Sequence, residues 1–458
     1  MGGLNTSLLI GTQALDLSQA ALDATSNNIA NSNTPGYTDE TPTISENAES
    51  VVGGQVIGGG VTLNGIRSVR DELLNLQIQQ QTSQQSALNA ESSSLAQLEN
   101  YFSTTSGGDL SSALTSFSTS LTELSANPSN SAVQDGVIAS GQSLAKSFNS
   151  TAAGLTSAQS AADGTVTQTV AQINTLTSQI AKLNGEVNQL TGAGQDGGTL
   201  EDQRDELVQQ LSGLTGISVA QSTDGETITT ANGSPLVLGS QSYSLQTTTG
   251  TNGFAQVIDS NGNNITSSLQ GGTLGGAIQV RDTTIPGFLN TLNTTASQFA
   301  TAFNSAQAAG FDSNGNAGQN FFTVPTTGAA AGISVAITDP SLVAVSSDGS
   351  AGSNGNVANL SAALTSALPS GQNVSSAYSA LVFQVGNAAS NANTESTAIG
   401  SNLLQLTNQQ NTVSGVSVDD ETTNLIRYQT AYEAAARIVS TIQQLSTVTL
   451  NMGTTGGY

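Results

Sequence analysis

The residue types that most often perform catalysis are scarce in this chain. Its 458 residues include no histidine and no cysteine. Imidazole bases, thiolate nucleophiles, thiolate zinc sites and disulfides are therefore excluded. A serine nucleophile would need Lys146 or Lys182 as its base, and no local pattern supports either. We predict no catalytic residue, and we expect that the protein is not an enzyme.

Acidic residues cluster in LEDQRDELVQQL, residues 200–211, where four carboxylates surround Arg204. Paired carboxylates can perform acid–base chemistry. Here they alternate around a helix with a separate apolar side, made of Leu207, Val208, Leu211 and Leu214. The segment is therefore predicted to be a solvated helix start.

Two further motifs could hold a ligand. DSNGN occurs from Asp259 and again from Asp312, but neither copy has the acidic residue that a calcium loop carries at its twelfth position. Tight turns are predicted, with metal binding as the alternative. GGQVIGGG, residues 53–60, lacks the Gly-Lys-Ser/Thr ending of a phosphate-binding loop and predicts a flexible loop or hairpin. We predict no metal site and no cofactor.

The charge balance also excludes partners. The formal net charge is −24, with only eight lysines and arginines, so the surface would repel nucleic acid. No run of eighteen apolar residues exists, so no membrane insertion is expected. The first residues lack the basic region of a cleavable secretory signal.

Apolar residues recur with heptad spacing at both ends of the chain. Near the start they form a leucine column, namely Leu8, Leu15, Leu22 and Ile29. Near the end they alternate by three and four, at Leu425, Tyr428, Tyr432, Ala435, Val439 and Ile442. Stripes this narrow are typical of coiled-coil seams. The two terminal helices are therefore predicted to pair with each other.

The middle of the chain changes character twice. Further heptads predict bundle helices, short β-like runs broken by Asp-Gly and Asn-Gly follow, and a Gly-rich patch comes later. The predicted fold is mainly α with a β insert, elongated and multidomain. Its predicted parts are a terminal coiled-coil assembly domain (1–35 with 414–458), a helical bundle domain (36–216 with 281–310 and 354–413), a small β-rich outer domain (217–280) and a small Gly-rich β patch (311–353).

Three stretches carry a family resemblance. SNNIANSNTPGYTDE, residues 26–40, is similar to the N-terminal signature of flagellar rod and hook axial proteins. IGGGVTLNGIRSVRDELLNLQIQQQTS, residues 57–83, and SGVSVDDETTNLIRYQTAYEAAARIVSTIQQLSTVTLNMG, residues 414–453, resemble the hook-associated protein 1 (FlgK) family. One departure is local: Thr38, Asp39 and Glu40 stand where the family commonly has Ser-Arg-Gln.

The resemblance implies a structural subunit of the bacterial flagellum that acts in motility. Such a subunit would self-assemble as a ring at the distal end of the hook. It would contact the hook protein and the second hook–filament junction protein, which connects it to the filament. Type III export would deliver it to the extracellular flagellum, with an export chaperone on its C-terminal helix.

Certain residues are expected to form the assembly interface. Asn27, Asn28 and Asn31 would finish the first helix and bond to adjacent subunits, and Pro35 and Gly36 would form a type II turn. Neighbouring subunits would bury the two apolar stripes, at Leu8, Leu15, Leu22, Ile29, Leu425, Tyr428, Tyr432, Val439 and Ile442.

Three alternatives stay open at this point. A hook or rod axial subunit is the nearest one. A secreted adhesin would carry its function in the β insert, and an embedded enzyme would need a polar pocket within residues 217–345.

Overall fold

A computed structural model describes residues 2–34, 36–52, 55–102, 109–193 and 197–455. The long N-terminal helix precedes four short strands: α1 (Gly2–Asn31), β1 (Glu40–Glu46), β2 (Ser50–Val52), β3 (Gln55–Ile57) and β4 (Val61–Ser68). β1 pairs antiparallel with β4, and β2 with β3. The segment is therefore one hairpin with a smaller hairpin at its far end. The hairpin lies within the range predicted as a helical bundle. A loop or hairpin is predicted only at residues 53–60, of which Gly53 and Gly54 lie outside the described residues.

Four helices build the next part of the chain: α2 (Glu72–Phe102), α3 (Leu110–Ala126), α4 (Ser131–Gly192) and α5 (Gly198–Leu214). The starts of α3 and α4 follow from local chemistry. The Asp109 carboxylate accepts from the Ser112 backbone N–H, and the Asn130 side chain accepts from the Ala132 backbone N–H. Each cap satisfies a donor that the helix itself leaves without a partner.

The β insert follows α5, as predicted. An antiparallel sheet contains β5 (Ile217–Ser222), β6 (Gly225–Thr230), β7 (Pro235–Leu238) and β8 (Gln241–Ser242), and a separate pair contains β9 (Gln246–Thr249) and β10 (Ala255–Ile258). The remaining elements are α6 (Gly272–Gln279), α7 (Ile285–Ala308), β11 (Phe322–Thr323), α8 (Ala329–Gly332), β12 (Ser334–Val335), α9 (Val357–Thr365), α10 (Val374–Ser414) and α11 (Val418–Thr455). A π-helical turn, Val280–Thr284, joins α6 to α7.

The described residues form two hydrophobic cores. The first is built on α3, the N-terminal half of α4, α7, α9 and α10, and it includes the rings of Phe117, Phe299, Phe303, Phe321 and Phe322. Phe321 and Phe322 belong to the Gly-rich patch, so this patch shares its core with the helices. The second core combines the C-terminal half of α4 with α5, the β insert and α6.

Two helical segments cross the boundary between the cores. Along α4, Ala162 belongs to the first core and Val166 to the second. Along α6 and the π turn, Ile278 belongs to the second core and Val280 to the first. The boundary therefore lies where the π turn passes α4.

The terminal helices α1 and α11 pack on each other. Gly11 lies against Val439, and Asn28 bonds to Glu421, so the two helices are antiparallel. This confirms the predicted pairing of the chain ends. Of the helices in the described part of the chain, none combines the length and apolarity that a membrane span needs.

Candidate assembly interface

The contact face of α1 consists of small and polar side chains. Its buried side chains include Ser18, Ala21, Thr25 and Asn28, which are at most 6% exposed. A Cβ added to Gly11 would lie 2.8 Å from Val439 Cγ2. Small residues at this spacing allow the backbones of two helices to approach closely. The leucine column is not the centre of this contact within the chain, and its expected role in contacts between subunits stays a prediction.

The leucine column lies at the edge of the contact. Leu8, Leu15, Leu22 and Ile29 are each only partly buried. On α11, Ala435 and Ile442 are 5% and 8% exposed and form the centre of the contact, whereas Tyr432 is 38% exposed. Leu425, Tyr428 and Val439 are partly buried. The pair therefore leaves part of its predicted apolar surface open to solvent.

Asn28 is the centre of a hydrogen-bond network within the chain. Its side-chain oxygen accepts from the Tyr37 hydroxyl at 2.9 Å and from the Glu40 backbone N–H at 3.0 Å. Its amide nitrogen donates to the Glu421 carboxylate and to the Glu40 carbonyl, each at 3.0 Å, and to Asp39. One side chain thus joins the end of α1, the segment leading into β1 and the start of α11.

The neighbouring asparagines complete the end of the helix. Asn27 Nδ2 donates to Glu40 Oε2 at 3.0 Å, and Asn31 Nδ2 donates to the Asn27 carbonyl at 3.1 Å. Asn28 is 1% exposed, so its expected bond to an adjacent subunit is corrected to bonds inside the chain. Gly36 has φ +79°, which suits the turn predicted for it, and Pro35 lies outside the described residues.

Three carboxylates, Asp39, Glu40 and Glu421, converge on this network. Burial raises the pKa of Asp39 to about 6, and the nearby Glu421 and Glu40 charges add to the increase. Burial, followed by the Glu40 charge, also raises the pKa of the Tyr37 hydroxyl well above its usual range. We therefore expect the stability of this junction to depend on pH through Asp39.

The acidic segment of α5 is a second anchor for the chain after the turn. Arg70 donates to Asp202 Oδ1 at 2.6 Å and to the Gly198 carbonyl at 2.8 Å, and it also pairs with Glu201. Thr38 binds the same Asp202 carboxylate through its backbone N–H (3.0 Å) and its hydroxyl (2.7 Å). The β1–β4 hairpin is thus tied to α5 at its base.

This anchor corrects the prediction of a solvated helix start. Asp202 and Arg204 are 7% and 5% exposed, and Arg204 pairs with the buried Glu226 at 3.2 Å. Burial raises the pKa of Asp205, while Arg70 and Arg204 oppose that shift. Sequence reasoning missed Arg70, whose partners lie about 130 residues further along the chain, since no local pattern indicates them.

The DSNGN motifs form tight turns, as predicted. In each, the aspartate Oδ1 accepts two backbone N–H groups: those of Asn261 and Asn263 for Asp259, and those of Asn314 and Asn316 for Asp312. Among the described residues, no group of three or more acidic side chains is arranged to hold a metal ion. These carboxylates therefore stabilise turns.

Three family models match separate parts of the chain. Residues 8–38 match the flagella basal body rod protein family, residues 95–322 the FlgK helical domain, and residues 409–452 the C-terminal family of flagellar basal body rod FlgEFG proteins. Flagellar hook-associated protein 1 of Bacillus subtilis is 31% identical, with 97% of each chain aligned. The chain belongs to the flagellar hook-associated protein 1 family.

Other members agree with this assignment. The Escherichia coli member is 28% identical over 96% of this chain and 98% of its own. A solved structure of the flagellar hook junction protein FlgK from Burkholderia pseudomallei superposes with a TM-score of 0.66. It is 19% identical, and the match covers 74% of this chain and all of that one, which supports the family's fold.

Proposed function

We propose that this protein is a structural subunit of the hook–filament junction of the bacterial flagellum. It assembles with copies of itself at the distal end of the hook. The observation that carries the proposal is the antiparallel α1–α11 pair, whose two halves match rod-protein families, on a chain whose middle matches the FlgK helical domain.

The proposed partners follow from this position. The hook protein lies on one side and the second hook–filament junction protein on the other, outside the cell. A flagellar export chaperone would cover α11 before assembly, because its exposed apolar side chains include Ile438, Leu445 and Leu450. Large exposed apolar surfaces favour association.

Assembly uses the leucine column and the half-exposed side chains of α11 beside it, Leu425, Tyr428 and Tyr432. These side chains are only partly covered in the single chain. A neighbouring subunit that covered them would gain about 25 cal/mol for each Å² of apolar surface removed from water.

Deletion of the gene tests the function. We expect cells with bare hooks that release flagellin into the medium and do not swim, and restoration of all three properties by the intact gene. Missing hooks would assign the protein to the hook or rod instead. Normal filaments and swimming would contradict any role in the flagellar axis and would favour an adhesin.

A further inference from the structure

Helix α11 carries a second apolar stripe, which lies beside its contact with α1, where Ile438 Cγ2 is 3.8 Å from a Cβ built on Gly11. Its positions alternate by four and three residues, and every one is exposed: Arg427, Ala431, Ala434, Ile438, Thr441, Leu445 and Val448. The three largest apolar side chains, Ile438, Leu445 and Val448, are 53%, 50% and 51% exposed. This spacing is that of a coiled-coil seam. We call these seven residues the outer seam.

The outer seam and the leucine column lie on opposite sides of the helix pair. Each residue turns a helix by about 100°. On α1, the side that faces the β1–β4 hairpin is identified by Gln13, which accepts a hydrogen bond from Asn47 directly after β1. The leucine column is next to the contact face, on the side away from this hairpin. Because α11 runs antiparallel to α1, its outer seam emerges on the hairpin side of the pair.

The charges beside the two surfaces are complementary. The ion pairs of the described residues use Arg70, Arg204, Arg281 and Lys182, whereas Arg427 and Arg437 of α11 are exposed and join none of them. Asp16 and Asp23 flank the leucine column on the exposed face of α1, seven residues apart. Two arginines thus lie at the outer seam, and two aspartates lie beside the leucine column.

We infer that the outer seam binds the leucine-column side of a second copy of this chain. The inference rests on the proposed function and identifies the two surfaces that meet. Since these surfaces differ and lie on opposite sides, contacts form head to tail, and each added copy presents a new free surface. Contacts of this kind produce closed rings or helical arrays and not two-fold dimers.

Cross-linking in assembled hooks tests this arrangement, because the chain contains no natural cysteine. Ile438→Cys is combined in one chain with Leu8→Cys, Leu15→Cys or Leu22→Cys, and a bismaleimide reagent is added. We expect at least one double variant to give a ladder of dimers, trimers and larger species. Each single variant alone should remain monomeric. The inference would be overturned if a single variant gave strong dimers. It would also be overturned if no double variant gave a ladder in hooks that carry the protein. Either result would leave the proposed function intact.

A matched pair of substitutions tests the surface independently. Ile438→Asp lies in the outer seam, whereas Ile426→Asp changes a residue that is 60% exposed on the same helix but lies outside both surfaces. We expect Ile438→Asp to reduce attached filaments by about tenfold or more, since a carboxylate would be buried without a partner. Ile426→Asp should leave them unchanged. Circular dichroism should show equal helix content in both proteins, and equal filament numbers would contradict the inference.

Discussion

At the scale of the residue, asparagine provides bonds that no other side chain of its size could make. Asn28 both accepts and donates at the junction of α1, the turn and α11. Aspartate could not donate to Glu421, and alanine could do neither. The asparagine-rich motif near the start of the chain therefore encodes a contact within the subunit, in addition to ending the helix.

Asn28→Ala should destabilise the end of α1. The substitution leaves the Tyr37 hydroxyl and the Glu40 backbone N–H without their acceptor, which costs about 2–4 kcal/mol. We expect faster proteolysis of α1 in the purified protein. Asn33→Ala, at an exposed position of the same motif, is the control and should have no effect. Equal cleavage rates in the two variants would contradict the assigned role of Asn28.

At Asp39 we expect a dependence of local stability on pH. Its pKa is raised in the folded state to about 6 from the ordinary 3.8 of an aspartate, so the folded state binds a proton more readily than the unfolded state. Local stability should therefore increase as the pH falls from 7 towards 4. The gain should be about 1–2 kcal/mol after allowance for solvent screening.

Hydrogen exchange at the Asp39 and Val69 amides measures this effect directly. Asp39 donates to the Ser414 carbonyl, and Val69 donates to the Asp39 carbonyl. Their protection factors, corrected for intrinsic exchange, should rise as the pH decreases. Asp39→Asn should remove most of the pH dependence, and a wild-type protein with constant protection would refute the prediction.

At the scale of the element, the close packing of α1 on α11 depends on Gly11. Alanine in place of a helical glycine ordinarily stabilises a helix by about 1 kcal/mol. At Gly11 the added methyl group would lie 2.8 Å from Val439 Cγ2, whereas at Gly3 of the same helix it would meet nothing within 4 Å. The two sites therefore differ in what the methyl group contacts.

We expect Gly3→Ala to be neutral or slightly stabilising and Gly11→Ala to be destabilising by about 1–2 kcal/mol, because the helices must move apart. Chemical denaturation, monitored with a probe on α11, provides the comparison. If Gly11→Ala were as stable as Gly3→Ala, the close approach of the two helices would be refuted.

The helices show which structural features the sequence could predict and which it could not. Heptad spacing was enough to predict the terminal helices and their pairing, because it reports which faces are apolar. It could not reveal that small residues form the contact face of α1, since Gly11 and Ser18 carry little hydrophobic signal. The outer seam from Arg427 to Val448 also has heptad spacing, but its arginine, alanines and threonine give a weaker apolar signal than the stripe from Leu425 to Ile442. The partners of Arg70 were not predictable, because distant parts of the chain supply them.

At the scale of the whole molecule, Arg281 joins the two cores. Its side chain is 2% exposed and donates to Asp163 of α4 and to Asp282 at 2.7 Å, and to the Ala255 carbonyl at 2.7 Å. Gln159 of α4 donates to the Arg281 carbonyl at 2.8 Å. A π turn carries Arg281 at the boundary between the cores, so α4, the turn and β10 meet at one guanidinium group.

Arg281→Met should separate the unfolding of the two cores. Removing one partner of a buried ion pair costs about 3–5 kcal/mol of stability. In this variant the lost stability concerns the contact between the two hydrophobic cores. We expect the natural protein to unfold in one calorimetric transition and Arg281→Met to unfold in two. Lys182→Met, which breaks an exposed pair with Glu186, should leave one transition. A single cooperative transition in Arg281→Met would contradict the coupling.

Helix α4 gives the molecule one further property. Its 62 residues form a rod of about 93 Å at 1.5 Å per residue, and both cores are built on it. A torque applied at one core reaches the other through an unbroken ladder of backbone hydrogen bonds. The subunit should therefore resist twisting between its two cores as one stiff body, and the cores should not rotate independently of each other under load.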